Sequence, residues 1–245
     1  MGDKGTSKGM AKMIITLGVA VALLCNFGDV WTSRRIEESS IQMANAALEQ
    51  ENLMETDQLS DPLLVVVNET IALPEDWEFL PFLVDDEVVD RRMAKDLLQM
   101  VKAAEQDGVW LWVASGYRSR ERQQFLFQKA VEENERQGMG EEEARASAMK
   151  TLALPGHSEH ETGLAVDFNH VSGEFANTKA YDWLQQNGPK YGFVQRYREE
   201  KSSITRVEEE SWHYRYVGKE AAQEMEQLHM CLEEYVQYQK ERQEG

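Results

Sequence analysis

The segment Ser158-Glu159-His160-Glu161-Thr162-Gly163-Leu164-Ala165-Val166-Asp167, taken with Glu210-Ser211-Trp212-His213, constrains this chain more than any other feature. Two histidines and an aspartate can make a three-ligand zinc site with one position left open, and a glutamate sits three residues before the second histidine. An open zinc position beside a carboxylate is what metal-assisted hydrolysis needs: the metal acidifies a water and the carboxylate takes its proton. The spacing sets a geometric condition. On one flat strand Glu210 and His213 would face opposite sides, so the backbone must bend near Ser211 for both to meet one metal.

The elements around these residues follow from periodicity. Leu63-Leu64-Val65-Val66-Val67 is short, apolar and β-branched and reads as a strand. Asp90 caps a helix in which Met93, Leu97, Val101 and Ala104 recur at helical spacing, with Gly108 as its stop. A strand over Val109–Val113 and a turn over Ser115–Ser119 lead into a helix carrying Phe125, Leu126 and Ala130. Residues 132–150 are a charged surface excursion, interrupted by Gly138 and Gly140, with a short helix near 141–151. Leu164–Phe168 alternates as a strand, placing Leu164, Val166 and Phe168 on one face and Gly163, Ala165 and Asp167 on the other. Tyr181–Leu184 lies in a helix ending near Asn187-Gly188. In the strand Trp212–Val217, Trp212, Tyr214 and Tyr216 share one face while His213, Arg215 and Val217 share the other. A closing helix is expected over 219–240, with Met225, Leu228, Leu232 and Tyr235 on its apolar side. Strands and helices mix without a βαβ rhythm and without an internal repeat, so the fold class is α+β: a small antiparallel sheet with flanking helices.

The 245 residues suffice for one domain with a real core plus extra segments. The net charge of −18 argues against nucleic acid as a partner, since phosphate binding needs a basic face. Cys25 and Cys231 are not placed to pair, so the domain does not depend on a disulfide. Near the N-terminus, Lys4, Lys8 and Lys12 precede an apolar run. From Met13 to Trp31 it is roughly 19 residues, about 28 Å as a helix, close to a hydrocarbon core of about 30 Å. Ala20-Val21-Ala22 would place a signal-peptide cut inside that run, and Leu23-Leu24 before Cys25 is a poor lipoprotein site. An uncleaved single-pass anchor over 13–31 is therefore expected. Residues 1–12 are then cytoplasmic, 32–60 a polar stalk, and 61–245 an extracytoplasmic domain; Arg34 and Arg35 on the far side weigh against that orientation.

The chain resembles the VanY-like zinc D,D-carboxypeptidases, which share a fold with the VanX dipeptidases and the L,D-carboxypeptidases of peptidoglycan. The resemblance covers roughly residues 61–240. It rests on Ser115-Gly116-Tyr117-Arg118-Ser119 with Gln123, on Ser158, His160, Gly163, Ala165 and Asp167, and on Glu210, Trp212, His213, Arg215, Tyr216, Val217 and Gly218, all in the family's order. Val67-Asn68 with Leu73-Pro74, and Tyr191-Gly192-Phe193 before Arg196-Tyr197, add to it. The resemblance implies a VanY/hedgehog-like fold and a zinc ion held by His160, Asp167 and His213. It implies Glu210 as the catalytic base and Arg118 as the group that polarises the scissile carbonyl or stabilises its oxyanion. Gln123 and Ser158 would contact the peptide near its terminal carboxylate. The chain departs from the family at Ser211, where proline is usual, at Glu209, where tyrosine is usual, and at Thr205-Arg206, where a Thr-Gly pair is usual.

Plainer readings apply elsewhere. His157 and His170 are read as pocket rim or surface, His229 as surface, and Glu159, Glu161, Glu208 and Glu209 as solvated charge, with Glu209 able to tune Glu210 by repulsion. Trp212, Tyr214 and Tyr216 are core or pocket wall. The resulting expectation is a monomeric, membrane-anchored zinc carboxypeptidase that takes the C-terminal D-alanine from peptidoglycan stem peptides. An L,D-carboxypeptidase or an endopeptidase is the alternative within the same chemistry. A non-catalytic wall-binding module that keeps zinc as a scaffold is the alternative outside it.

Overall fold

The computed structural model describes residues 61–244. The expected anchor over 13–31 and the stalk over 32–60 lie outside the described residues. Among those described, no helix is long and apolar enough to cross a membrane.

The architecture is α+β. A hairpin of β1 (Pro81–Val84) and β2 (Glu87–Asp90) leads into helix α1 (Arg91–Gln106). Then come β3 (Val113–Ser115), α2 (Arg120–Arg136), α3 (Glu141–Ala148), β4 (Ala165–Phe168), α4 (Lys179–Asn187), β5 (Phe193–Tyr197), the one-turn α5 (Ser202–Thr205), β6 (Glu210–Tyr216), α6 (Lys219–Leu228) and α7 (Leu232–Glu244). Strands β3, β4, β6 and β5 form, in that order, one antiparallel sheet.

The expected caps are present. Asp90 accepts from the Arg92 amide at the start of α1, and Gly108 follows its end at φ +73°. Helix α1 turns Met93, Leu97, Met100 and Ala104 inward, against Val166 and Phe168 of β4, Phe193 of β5, and Tyr214 and Tyr216 of β6. Alternation along β4 and β6 sends Asp167, His213 and Arg215 to the opposite face. Beside that face a second core joins Val194 and Val217 to Ala222 and Met225 of α6 and Leu232, Tyr235 and Val236 of α7. The face against α1 is thus mainly apolar, and the opposite face carries Asp167, His213 and Arg215 with the second core beside them.

The hairpin of β1 and β2 and strand β5 are additions to the expected elements, and three of the expected elements differ. Residues 63–67 do not form a strand: Asp61 caps a 3-10 turn over Pro62–Leu64, and the carbonyls of Leu63 and Val65 accept from Arg215 Nη2 at 3.0 and 2.8 Å. The strand expected over Val109–Val113 is found as β3, Val113–Ser115, and shares only Val113 with that range. The Asn169 side chain takes the Trp112 amide and the Trp110 carbonyl, which satisfies that backbone without a ladder. The closing helix is two helices, because His229 adopts φ +53° and ends α6.

Candidate metal centre and its cavity

His160 sits on a 3-10 turn, Glu159–Thr162, that ends at Gly163 with φ +74°. A Cβ at Gly163 would lie 2.5 Å from the Phe79 ring, so both the backbone angle and the space demand glycine. Asp167 on β4 pairs in register with His213 on β6, which places the two side chains together on the polar face. Asp167 Oδ2 lies 3.3 Å from His160 Nε2, and Oδ1 lies 2.9 Å from His213 Nδ1. One ligand atom from each of the three residues falls within 4.8 Å of the others, and all three residues are buried. The edge of a tetrahedron with metal bonds of about 2.1 Å is roughly 3.4 Å, so the donor set and its spacing fit a zinc ion.

The bend required near Ser211 is found. Strand β5 pairs with β6 as Gln195 to Tyr214 and then Tyr197 to Glu210, so β6 carries two extra residues across that interval. The bulge re-aims Glu210 and brings its Oε2 to 3.8 Å from His213 Nδ1. Ser211 is buried in the bulge, and its hydroxyl has no hydrogen-bond partner among the described residues.

Arg118 follows β3. Its amide donates to the His160 carbonyl at 3.0 Å, its Nη1 to Gln123 Oε1 at 2.9 Å and its Nη2 to Ser115 Oγ at 3.3 Å. Gln123 is fully buried and also donates to the Ala153 carbonyl at 2.7 Å, so its carboxamide is engaged with Arg118 and the cavity wall. A cavity of about 510 Å³ opens over these groups. Arg118, Gln123, Ser158, Glu210 and the three candidate ligands line it, with residues 149–154 forming one wall. The charged excursion after α2 therefore ends in the wall of the site.

The charges are strongly coupled. Burial pushes the Glu210 carboxyl up, and the Asp167 and Glu159 carboxylates add to this against the pull of the two histidines. Burial opposes ionisation of Asp167, but the two histidines outweigh it and hold the carboxyl well below its usual range. Burial likewise disfavours the His213 cation, yet its hydrogen bond to Asp167, with Glu159 and Glu210 nearby, raises it to about 10. Metal loading must expel that proton. Zinc affinity is therefore expected to rise about tenfold per pH unit between roughly pH 6 and 9, as measured by competition with a chelator of known affinity.

Sequence reasoning missed the layer behind the histidines. Glu159 and Glu161 are buried, not solvated. Glu161 accepts from the Gly156 amide at 2.8 Å and faces Arg120 at 3.4 Å, which holds the loop before the metal turn. Glu159 accepts from Arg196 Nε and Arg215 Nη1, both at 2.8 Å, and is held well below its usual range by them against the penalty of burial. The Tyr197 ring stacks on His213 with centroids 5.0 Å apart. The available signal was an arginine inside each apolar strand, Arg196 and Arg215, since a charge there requires a buried partner. Glu208 and Glu209 are exposed, His229 and His170 are at the surface, and His157 lines the cavity while meeting the Asn68 carbonyl at 2.8 Å.

Residues 86–219 match the family description VanY, D-alanyl-D-alanine carboxypeptidase. The chain belongs to the VanY family. A D-alanyl-D-alanine carboxypeptidase of Enterococcus faecalis is 40% identical over 178 residues, covering 72% of this chain and 66% of the relative, just under two thirds of its length. Among solved structures, a mutant of the vancomycin-resistance D,D-pentapeptidase VanY from a VanB-type cassette, in complex with Zn(II), matches with TM-score 0.65 and 39% identity. It covers 72% of this chain and 99% of that one. The peptidoglycan-recognising LD-carboxypeptidase LdcB matches with TM-score 0.64 and 34% identity, covering 71% of this chain and 86% of that one.

Proposed function

We propose that this protein is a zinc D,D-carboxypeptidase that removes the C-terminal D-alanine from peptidoglycan stem peptides. The observation that carries this reading is the convergence of His160, Asp167 and His213 at a cavity also lined by Glu210 and Arg118. Membership of the VanY family supports the substrate class.

His160, Asp167 and His213 would hold a zinc ion, which would supply Lewis acidity toward a water and a carbonyl. Glu210 takes the proton from the attacking water as the new C–O bond forms at the carbonyl carbon. It then delivers that proton to the nitrogen of the departing D-alanine as the C–N bond breaks. Its raised carboxyl suits both halves of the transfer. Arg118 offers a fixed guanidinium to the charge that develops on the carbonyl oxygen. Ser158 contributes a polar group to the cavity wall, and Gln123 acts through Arg118, to which its oxygen is already bonded.

The protein acts as a monomer, held to the membrane by residues 13–31, with residues 61–245 outside the cytoplasm. The lysines before the apolar run support that orientation. The mass of the protein recovered from membranes separates an intact anchor from a cleaved leader.

The test of function is mass spectrometry of stem peptides incubated with the protein, with zinc and with chelator. Zinc-dependent loss of one D-alanine from the pentapeptide alone is expected. Loss from the tetrapeptide would make the enzyme an L,D-carboxypeptidase, the reading that the likeness to LdcB favours. Cleavage of neither, with zinc bound, would leave endopeptidase or wall-binding activity.

A further inference from the structure

The two candidate histidine ligands are held from behind in opposite ways. His160 Nδ1 meets the Gly116 carbonyl at 2.7 Å, an acceptor only, so Nδ1 carries the proton and Nε2 is left for a metal. His213 presents the other nitrogen. Its Nδ1 is the atom beside Asp167, and its Nε2 points away, toward Glu159 Oε2 at 3.5 Å.

Those two atoms, His213 Nε2 and Glu159 Oε2, are buried and have no other hydrogen-bond partner among the described residues. Each is costly to leave unmade, and each is the natural partner of the other. Glu159 is the counter-ion of two buried arginines, but its geometry goes further. Both arginines bond to Oε1, so Oε2 is left facing the imidazole. The arginines are themselves fixed. Glu233 on α7 accepts from Arg196 Nη1 at 2.9 Å and Nη2 at 2.6 Å, and the Leu63 and Val65 carbonyls take Arg215 Nη2. The carboxylate is held rigidly at the one place from which it can reach His213.

We propose that Glu159 is a positioning residue of the metal centre: its Oε2 accepts the Nε2 proton of His213, fixes that tautomer, and aims the Nδ1 lone pair at the zinc. It contacts neither metal nor substrate. Partners of this kind orient ligating histidines and typically change metal affinity about 10–100-fold when removed. The inference rests on the zinc site and not on the peptide substrate, so its tests read the metal.

The first test is ¹⁵N NMR of histidine-labelled, zinc-loaded protein, which needs no variant. His213 is expected to show a protonated, hydrogen-bonded Nε2 and a metal-bound Nδ1; a metal-bound Nε2 would overturn the proposal. The second is the zinc dissociation constant of Glu159→Gln, which keeps the side-chain length but cannot satisfy both arginines and the imidazole. Weakening by about 10–100-fold is expected. Glu233→Gln serves as the control. It loosens the same arginine network while leaving Glu159 beside His213, so its thermal midpoint should fall with less than a threefold change in zinc affinity. Wild-type zinc affinity in a folded Glu159→Gln protein would overturn the proposal, as would equal weakening in both variants at equal loss of stability.

Discussion

Glu210→Gln is expected to lower turnover by about 10²–10⁴-fold, the range lost with a general acid–base group, while zinc content stays that of the parent. Only an acceptor and donor of protons is removed. Glu210 Oε2 stands 3.8 Å from His213 Nδ1 and is outside the cluster of three ligand atoms, so the metal does not depend on it. The amide is close in size and sits in the same bulge of β6, so the fold should be indifferent. Steady-state rates on the pentapeptide, paired with metal analysis of the same samples, check both halves. Loss of zinc together with activity would make Glu210 a fourth ligand instead of the base. The pH profile carries the same information. Glu210 must be ionised to take the proton, and its carboxyl is raised by burial and by Asp167 and Glu159. The acid limb of kcat/KM is therefore expected to report the ionisation of Glu210, with rate climbing as pH rises through it, and to vanish from the residual rate of Glu210→Gln.

The parts of this site legible in the sequence are those fixed by local rules. Alternation along β4 and β6 places Asp167 and His213 on one face, and the same rule forces the bulge at Ser211 if Glu210 is to join them. The Asp90 cap and the apolar stripe of α1 are equally local. What was not legible depends on partners far away in the chain. Leu63–Val67 has strand composition, but its carbonyls are taken by Arg215, about 150 residues later, so no ladder forms. Glu159 and Glu161 flank a histidine in a charged run and look solvated; only the arginines of β5, β6 and the start of α2 give them the counter-charges that let them be buried. The split between α6 and α7 turns on one residue, His229, in a backbone region that side chains seldom adopt. Charge pattern alone does not report such pairings, because burial of a charge is decided by its counter-charge and not by its neighbours in sequence.

Arg118→Lys is expected to lower kcat about 10²–10³-fold, the loss associated with one donor to a developing oxyanion, with a smaller change in KM and none in zinc content. The charge is kept, so the effect isolates geometry. The guanidinium is anchored at Nη1 by Gln123 and at Nη2 by Ser115, and the backbone at Arg118 is tied to the His160 carbonyl. These bonds fix a planar donor beside the ligands and leave its remaining protons for substrate. A lysine has a single flexible ammonium that cannot bond both neighbours and still present a fixed donor to the cavity. Gln123→Leu should reproduce part of this loss, since it removes the Nη1 partner while leaving the arginine in place. Because Gln123 acts through Arg118, the two changes are not independent, and Gln123→Leu should cost little further in the Arg118→Lys background. Full additivity in that double-variant cycle, read as kcat on the pentapeptide, would instead mean that Gln123 meets the substrate directly and that its bond to Arg118 is broken on binding.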